Sequence, residues 1–537
     1  MLCSKKDVQR QGGCRAAQRF LPFEERQFRA DVGVGIPAIL AAVGFATDVT
    51  TIMRAKVNLQ ASLDAATLAS SHLSDNEADR RQAFERFFQV NVANHSELSN
   101  ANVTLSIDEG LNYIKTKAVA SADAALNFAF LFGENQHIVV DAGAVEATNN
   151  LEVVMVLDNT GSMAGAKIQA LREATKALLN NLDGAKSPNR KITAALVPFV
   201  TAVNVNGDEF DPAWIDMDGK SPNNGVNFPL LPDGKRVNHM DLFKDLAEGT
   251  GWKGTGWKGC VEARPGSAGI SDVAPGQANA DSLFVPYFAP DDPEDATDPS
   301  ASYGNDTKIY NNSYLSDDVA DGTDKKGKDK KVAKYKTPKA KKINDKKGPL
   351  TVGPNRACPT PVVPLTTDVD KLRTAAAQMQ EWNGSGTNVS EGLSWGMRVL
   401  SPDPPYTGGA SWRAPNTSKI VVLLTDGENV VFGASGEPEK SDYTSYGFLS
   451  SGRFGTSNQT DAARQVDRWT LDVCQKLKAQ QVQIYTITLQ SDTAANRVLY
   501  GKCATDPSNY YAVSDPSKLP NVFQEIAGKC TALQLND

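Results

Sequence analysis

The sequence predicts an α/β protein: a doubly wound, mainly parallel sheet sandwiched by helices, carrying a long insertion and preceded by an N-terminal membrane helix and a small β-rich stem. Three observations predict it. After Asn150, short apolar runs alternate with stretches of helix period; the alternation fails between Thr201 and about Cys358; and an uncharged run, Val32 to Thr47, follows a basic N-terminus. Alternating strands and helices call for a parallel sheet covered on both faces, with ligands at the carboxyl ends of its strands.

The N-terminal elements come first. Lys5, Lys6, Arg10, Arg15, Arg19, Arg26 and Arg29 precede "VGVGIPAILAAVGFAT", which Asp31 and Asp48 bracket. A spanning helix wants roughly 20 apolar residues, so this run is short. A transmembrane anchor over 32–49 remains the preferred reading, ahead of a cleaved signal peptide or a buried soluble helix. No compact small-residue cleavage site follows, and helical sequence continues. A basic flank keeps residues 1–31 in the cytoplasm and exports the rest. Ile52, Ala55, Leu59, Leu63 and Ala66 recur at three or four, a helix extending the anchor. Alternating stretches at Asn102–Asp108, Asn112–Ser121 and from His137 read as strands of the stem, which completes 50–150.

The main domain spans 151–537. Its strands are Val153–Leu157, Ile192–Val200, Lys419–Asp426, Val482–Leu489 and Tyr510–Ser514. Its helices are Lys167–Leu182, Val369–Trp382, Asn388–Leu400, Asp461–Gln480 and Leu519–Cys530. The insertion, about 201–358, leaves after "LVPFV" and returns at "CPTPVVPLTTD", which reads as a short adjacent strand. A right-handed crossover makes the first two strands parallel, so the insertion should overhang the side where "DNTGSM" lies.

A net charge of −7 gives no reason to expect nucleic acid as a partner. Lys325 to Lys347 holds twelve lysines against two aspartates and reads as a solvated, disordered loop, with a patch for anionic surfaces as the alternative. Cys3 and Cys14 fall on the cytoplasmic side; Cys260, Cys358, Cys474, Cys503 and Cys530 fall beyond the anchor and suit disulfides, with one left over. Cys260 and Cys358 could staple the insertion. "GTGWKGTGWKG" holds G-x-G-x-x-G twice, yet no buried strand precedes it and no helix follows, so a nucleotide site is disfavoured. Trp252 and Trp257 there read as packing of the insertion rather than a sticky surface. The four histidines sit apart, and no G-x-S-x-G or P-loop occurs.

Asp158, Thr160 and Ser162 alternate as D-x-T-x-S at the end of the first strand. Small oxygen ligands converging on one point suit Mg²⁺ or Mn²⁺, although such residues alone also cap helices. Two further strand ends shift the balance: "LLTDGEN" places Asp426 and "NGSGTN" places Thr387. In this order the motifs resemble the metal-ion-dependent adhesion site (MIDAS) of von Willebrand factor type A domains, with Thr160 in place of the more usual Ser. The resemblance implies that Asp158, Thr160, Ser162, Thr387 and Asp426 hold one divalent cation, leaving a position for an acidic group on a protein partner. The anchor, "RAKVNLQASLDAATLAS" and the stem resemble TadG-like proteins of bacterial Flp (tight-adherence) pilus systems, as do "LFVPYFAPDDPE" and "NRACPTPVVPLTTD".

The expected protein is therefore not an enzyme but a single-pass inner-membrane pilus assembly or adhesion protein with a periplasmic or surface-exposed region. Its partner would be a pilus or envelope component. Two alternatives stand beside it: a structural envelope protein whose metal only stabilises the fold, and a metal-dependent hydrolase using Asp158 and Asp426, which lacks an evident general base.

Overall fold

The computed structural model describes residues 24–71, 77–109, 113–128, 133–147, 150–186, 190–250, 256–292, 312–316, 332–336, 338, 352–414, 416–433, 435, 439–531 and 534–535. Cys3, Cys14, Trp252, the basic residues up to Arg19 and most of the lysine tract lie outside them. The chain forms two units: Met1–Asp108, Lys115–Val145 and Leu535–Asp537, and Glu109–Ile114 with Glu146–Gln534.

In the first unit a single helix, α1 (Glu24–Ser71), joins the expected anchor and the helix after it. Helix α2 (Glu77–Val92) follows, then strands β1 (Leu98–Glu109), β2 (Tyr113–Ala125) and β3 (Asn135–Ala147). Ala55, Leu59, Leu63 and Ala66 of α1 are fully buried, as their helix period predicts, against Phe84 and Phe88 of α2 and the alternate alanines Ala118, Ala120, Ala122 and Ala124 of β2. Alanines on the sheet's inner face let the long helix lie close. Asp48, the expected outer border of the anchor, is buried and accepts hydrogen bonds from the amides of Asn127 (3.0 Å) and Phe128 (3.3 Å). Among the described residues no helix is long and apolar enough to cross a membrane.

The second unit is built on β4 (Asn150–Asp158), α3 (Ala166–Gly184), β5 (Ile192–Phe199), β6 (Val203–Asn204), α4 (His239–Thr250), β7 (Cys260–Val261) and α5 (Ala333–Lys336). It continues with β8 (Val363–Thr366), α6 (Val369–Gln378), α7 (Val389–Leu400), β9 (Thr417–Thr425), α8 (Gln459–Ala479), β10 (Gln483–Leu489), α9 (Ala494–Cys503), β11 (Tyr510–Val513) and α10 (Leu519–Thr531). The sheet order is β11-β10-β9-β4-β5-β6-β7, with β8 also paired to β5. β11, β10, β9, β4 and β5 run parallel; β6, β7 and β8 are antiparallel additions.

β4 is buried on both sides because its residues alternate between two cores. Val153, Met155 and Leu157 meet α3, α6 and α10 on one face. Val154 and Val156 meet α7, α8 and α9 on the other. The chain leaves β4 through α3 on the first face and leaves β9 through α8 on the second. The β4–β9 boundary is thus the point where the winding reverses, and in open α/β sheets the crevice beyond the strand ends at such a point is where ligands bind.

Some expectations for the insertion are corrected, while the Cys260–Cys358 staple, the one unpaired cysteine among the described residues and the packing role of Trp257 are met. The insertion does not simply overhang the strand ends: its start and middle extend the sheet edge as β6 and β7, and Cys260 is bonded to Cys358, closing a separation of 98 residues. A second disulfide joins Cys474 to Cys503, and Cys530 is the free cysteine among the described residues. Within the lysine tract Lys334 is buried, with its ammonium 2.7 Å from Asp291, because Asp291 sits in the insertion's own core and needs a countercharge. Trp257 packs inside the insertion and donates to the Cys260 carbonyl at 2.6 Å. Helix α6 ends before Trp382, whose amide donates to Asn159 instead (2.8 Å).

Candidate functional site

Parallel register aligns the strand ends. Leu157 stands opposite Leu424 on β9, and Asp158 opposite Phe199 on β5, so Asp158 and Asp426 emerge at the same edge. Asp158 closes β4 and is fully buried. Its Oδ1 accepts from the Thr160 amide (2.8 Å) and its Oδ2 from the Thr425 hydroxyl (2.7 Å). The chain then turns through a 3-10 segment, Gly161–Met163, which sets the Thr160 and Ser162 hydroxyls 3.0 Å apart. Ser162 donates to Asp426 Oδ1 at 2.7 Å, and the Lys167 ammonium sits 2.7 Å from Asp426 Oδ2. Four of the five expected ligands therefore form one hydrogen-bonded chain across two strand ends.

Thr387 is held nearby by backbone rather than by its side chain. Its amide donates to Val430 O (2.9 Å) and its carbonyl accepts from Val430 N (3.1 Å), while the Asn388 amide donates to Val200 O at the end of β5 (3.0 Å). Among the described residues no hydrogen bond joins its hydroxyl to the other four. Gly386 allows this approach: φ is +88°, and a Cβ there would lie 1.9 Å from Val430 O. The insertion borders this loop, since Arg356 pairs with Asp442 (2.9 Å), which also accepts from the Ser385 amide (3.4 Å). The Asp158–Ser162 turn is covered instead by residues 379–382, through Asn159 Nδ2 to Gln380 O (2.9 Å). Ser162 itself is exposed, so the donor cluster opens to solvent at that point.

Burial, and after it the charge of Asp426, push the Asp158 carboxyl up to about 7; hydrogen bonds from Thr160 and Thr425 act in the opposite sense. Two carboxylates held together out of water favour a proton or a cation between them. Among the described residues no group of three or more His, Cys, Asp or Glu could hold a metal ion. Any site here is a mixed hydroxyl and carboxylate site. Sequence reasoning missed Thr425 and Lys167. Thr425 directly precedes Asp426 in "LLTDG", and Lys167 is a basic residue in the first turn of α3, where the helix dipole disfavours it.

These features define an α/β domain with an oxygen-donor cluster at its winding reversal, joined in one chain to a helix-and-sheet stem. Residues 32–71 match the family model described as putative Flp pilus-assembly TadE/G-like, so the TadG-like segment expected from the sequence is present. Among solved structures, the pilus adhesin SpaC of Lactobacillus rhamnosus GG in its open conformation matches at 11% identity over 80% of this chain and 34% of its own, with a TM-score of 0.30. The von Willebrand factor domain of the type V pili tip protein Mfa5 of Porphyromonas gingivalis matches at 10% identity, 71% of this chain and 95% of its own, with a TM-score of 0.29. The pilus adhesin RrgA of Streptococcus pneumoniae matches at 10% identity, 82% of this chain and 50% of its own, with a TM-score of 0.32. The chain thus spans about a third of the length of SpaC. No curated protein matches in sequence.

Proposed function

We propose that this is a pilus-associated assembly or adhesion protein that binds a protein partner through a divalent cation, Mg²⁺ or Mn²⁺, held by Asp158, Thr160, Ser162, Thr387 and Asp426. One observation carries the reading: at the winding reversal of the sheet the Thr160 and Ser162 hydroxyls and the Asp426 carboxylate form one hydrogen-bonded chain, next to the buried Asp158 carboxylate that the Thr160 amide holds. The donor set fits a hard cation, being all oxygen, doubly acidic and buried at Asp158. When bound, the ion would supply an open coordination position for an acidic side chain of the partner. The chain's own residues do the rest: Thr425 and the Thr160 amide orient Asp158, Ser162 marks the open side, and the Thr387–Val430 pairing fixes the loop that carries the fifth ligand.

The same reading places the protein in the bacterial cell envelope, attached to the inner membrane through the uncharged run Val32 to Thr47. Ile39, Leu40, Val43 and Phe45 of that run are exposed on α1, as a lipid-facing helix requires. Calorimetric titration of the full chain with MnCl₂, alongside Asp158→Ala, tests the cation site. Binding in the unmutated chain that Asp158→Ala abolishes is expected. A folded chain that gives no heat overturns the reading.

A further inference from the structure

Lys167 is placed against two ordinary preferences. It lies in the first turn of α3, whose dipole repels a cation, and its side chain is only 21% exposed. What holds it there is Asp426, whose side chain is 2% exposed and whose Oδ2 lies 2.7 Å from the ammonium. Asp426 Oδ1 is taken by Ser162, and both Asp158 oxygens are taken by Thr160 and Thr425. Every carboxylate oxygen of the pair thus already has a donor from the chain itself. The one full positive charge among these donors is Lys167. Unlike the hydroxyls, it cannot turn a lone pair toward an incoming ion.

We propose that Lys167 is a tethered competitor of the divalent cation, a latch on the site described under the proposed function, on which this inference rests. Without metal the ammonium neutralises Asp426 and keeps the carboxylate pair together. A divalent cation at Asp426 and the ammonium 2.7 Å from Oδ2 are like charges competing for one carboxylate, so in this latch the ammonium swings out as the ion enters. The stem of the side chain starts beside the exposed residues Gly165 and Ala166, which gives it solvent to move into. The latch makes metal occupancy weak and reversible, and it spares the empty site the repulsion of two buried carboxylates.

The test is MnCl₂ titration of the full chain, unmutated and as Lys167→Met, by calorimetry and by thermal melting with and without the ion. Lys176→Met, an exposed position on the same helix, is the control. Lys167→Met is expected to bind Mn²⁺ about 10-fold tighter or more, the change that removal of one close like charge readily produces. It should also melt lower than the unmutated chain without metal and recover with it, while Lys176→Met behaves as unmutated. Should Lys167→Met not fold, Lys167→Gln keeps a donor to Asp426 without the charge and is expected to tighten binding likewise. Mn²⁺ binding to the unmutated chain that is equal to, or tighter than, binding to the neutral variants overturns the latch and leaves the cation site standing. No binding to any folded form overturns both.

Discussion

Replacing Gly386 by Ala should loosen the loop that carries Thr387. The residue sits at φ +88°, and the added Cβ would lie 1.9 Å from the Val430 carbonyl oxygen, which is backbone and cannot rotate away. A left-handed conformation costs a Cβ-bearing residue about 1–2 kcal/mol. Relieving the clash breaks the two Thr387–Val430 hydrogen bonds, each worth about 0.5–1.5 kcal/mol net. The sum centres on about 3.5 kcal/mol. Gly455 supplies the comparison, because it has φ +72° and nothing within 4 Å of a built Cβ. Gly455→Ala should therefore lose only the conformational part, about 1–2 kcal/mol. Urea unfolding of the full chain, followed by tryptophan fluorescence, reads both variants. Equal losses at the two glycines would refute the claim that the Val430 contact positions this loop.

Three further outcomes are expected. Removing the Cys260–Cys358 bridge by double serine substitution frees a loop of 98 residues, for which chain entropy gives roughly 4–5 kcal/mol as an upper figure; faster hydrogen exchange at β6 and β7 is the readout, and unchanged exchange there contradicts it. Lys334→Ala leaves Asp291 buried without its countercharge and should cost about 3–5 kcal/mol, seen as a lowered unfolding midpoint; a loss under about 1 kcal/mol contradicts the buried pairing. Burial, and next the charge of Asp442, push the Asp292 carboxyl up to about 7, above the ordinary carboxylate range. The folded state therefore binds the proton more tightly, and this group's contribution is full below the ordinary range and lost as pH rises through about 7. Asp292→Asn should accordingly flatten the fall in melting temperature between acid and mildly alkaline buffer, whereas parallel curves would count against it.

The sheet was legible because burial on both faces leaves continuous apolar runs, as in "VVMVL" and "KIVVLL", bounded by helices with caps such as Asn388 and Asn458. Other elements left weaker marks. Helix α2 was missed although Phe84, Phe88 and Val92 recur every four residues, because seven charged side chains in and around them mask the stripe. Helix α4 was hidden inside the insertion, where Gly- and Asp-rich turns surround it. Four of the five candidate ligands meet because parallel register forces neighbouring strand ends together, which the order of motifs can convey. Lys167 and Lys334 could not be read this way. The role of each depends on a carboxylate far away in sequence, Asp426 and Asp291.

Anomalous scattering from a crystal of the full chain grown with MnCl₂ tests the cation site most directly. One manganese peak is expected at the β4–β9 strand ends, bonded to oxygens of the Asp158, Ser162 and Asp426 group, with the Lys167 ammonium displaced from Asp426. A well-ordered crystal with no peak there would contradict the cation site; a peak with Lys167 still seated on Asp426 would contradict only the latch.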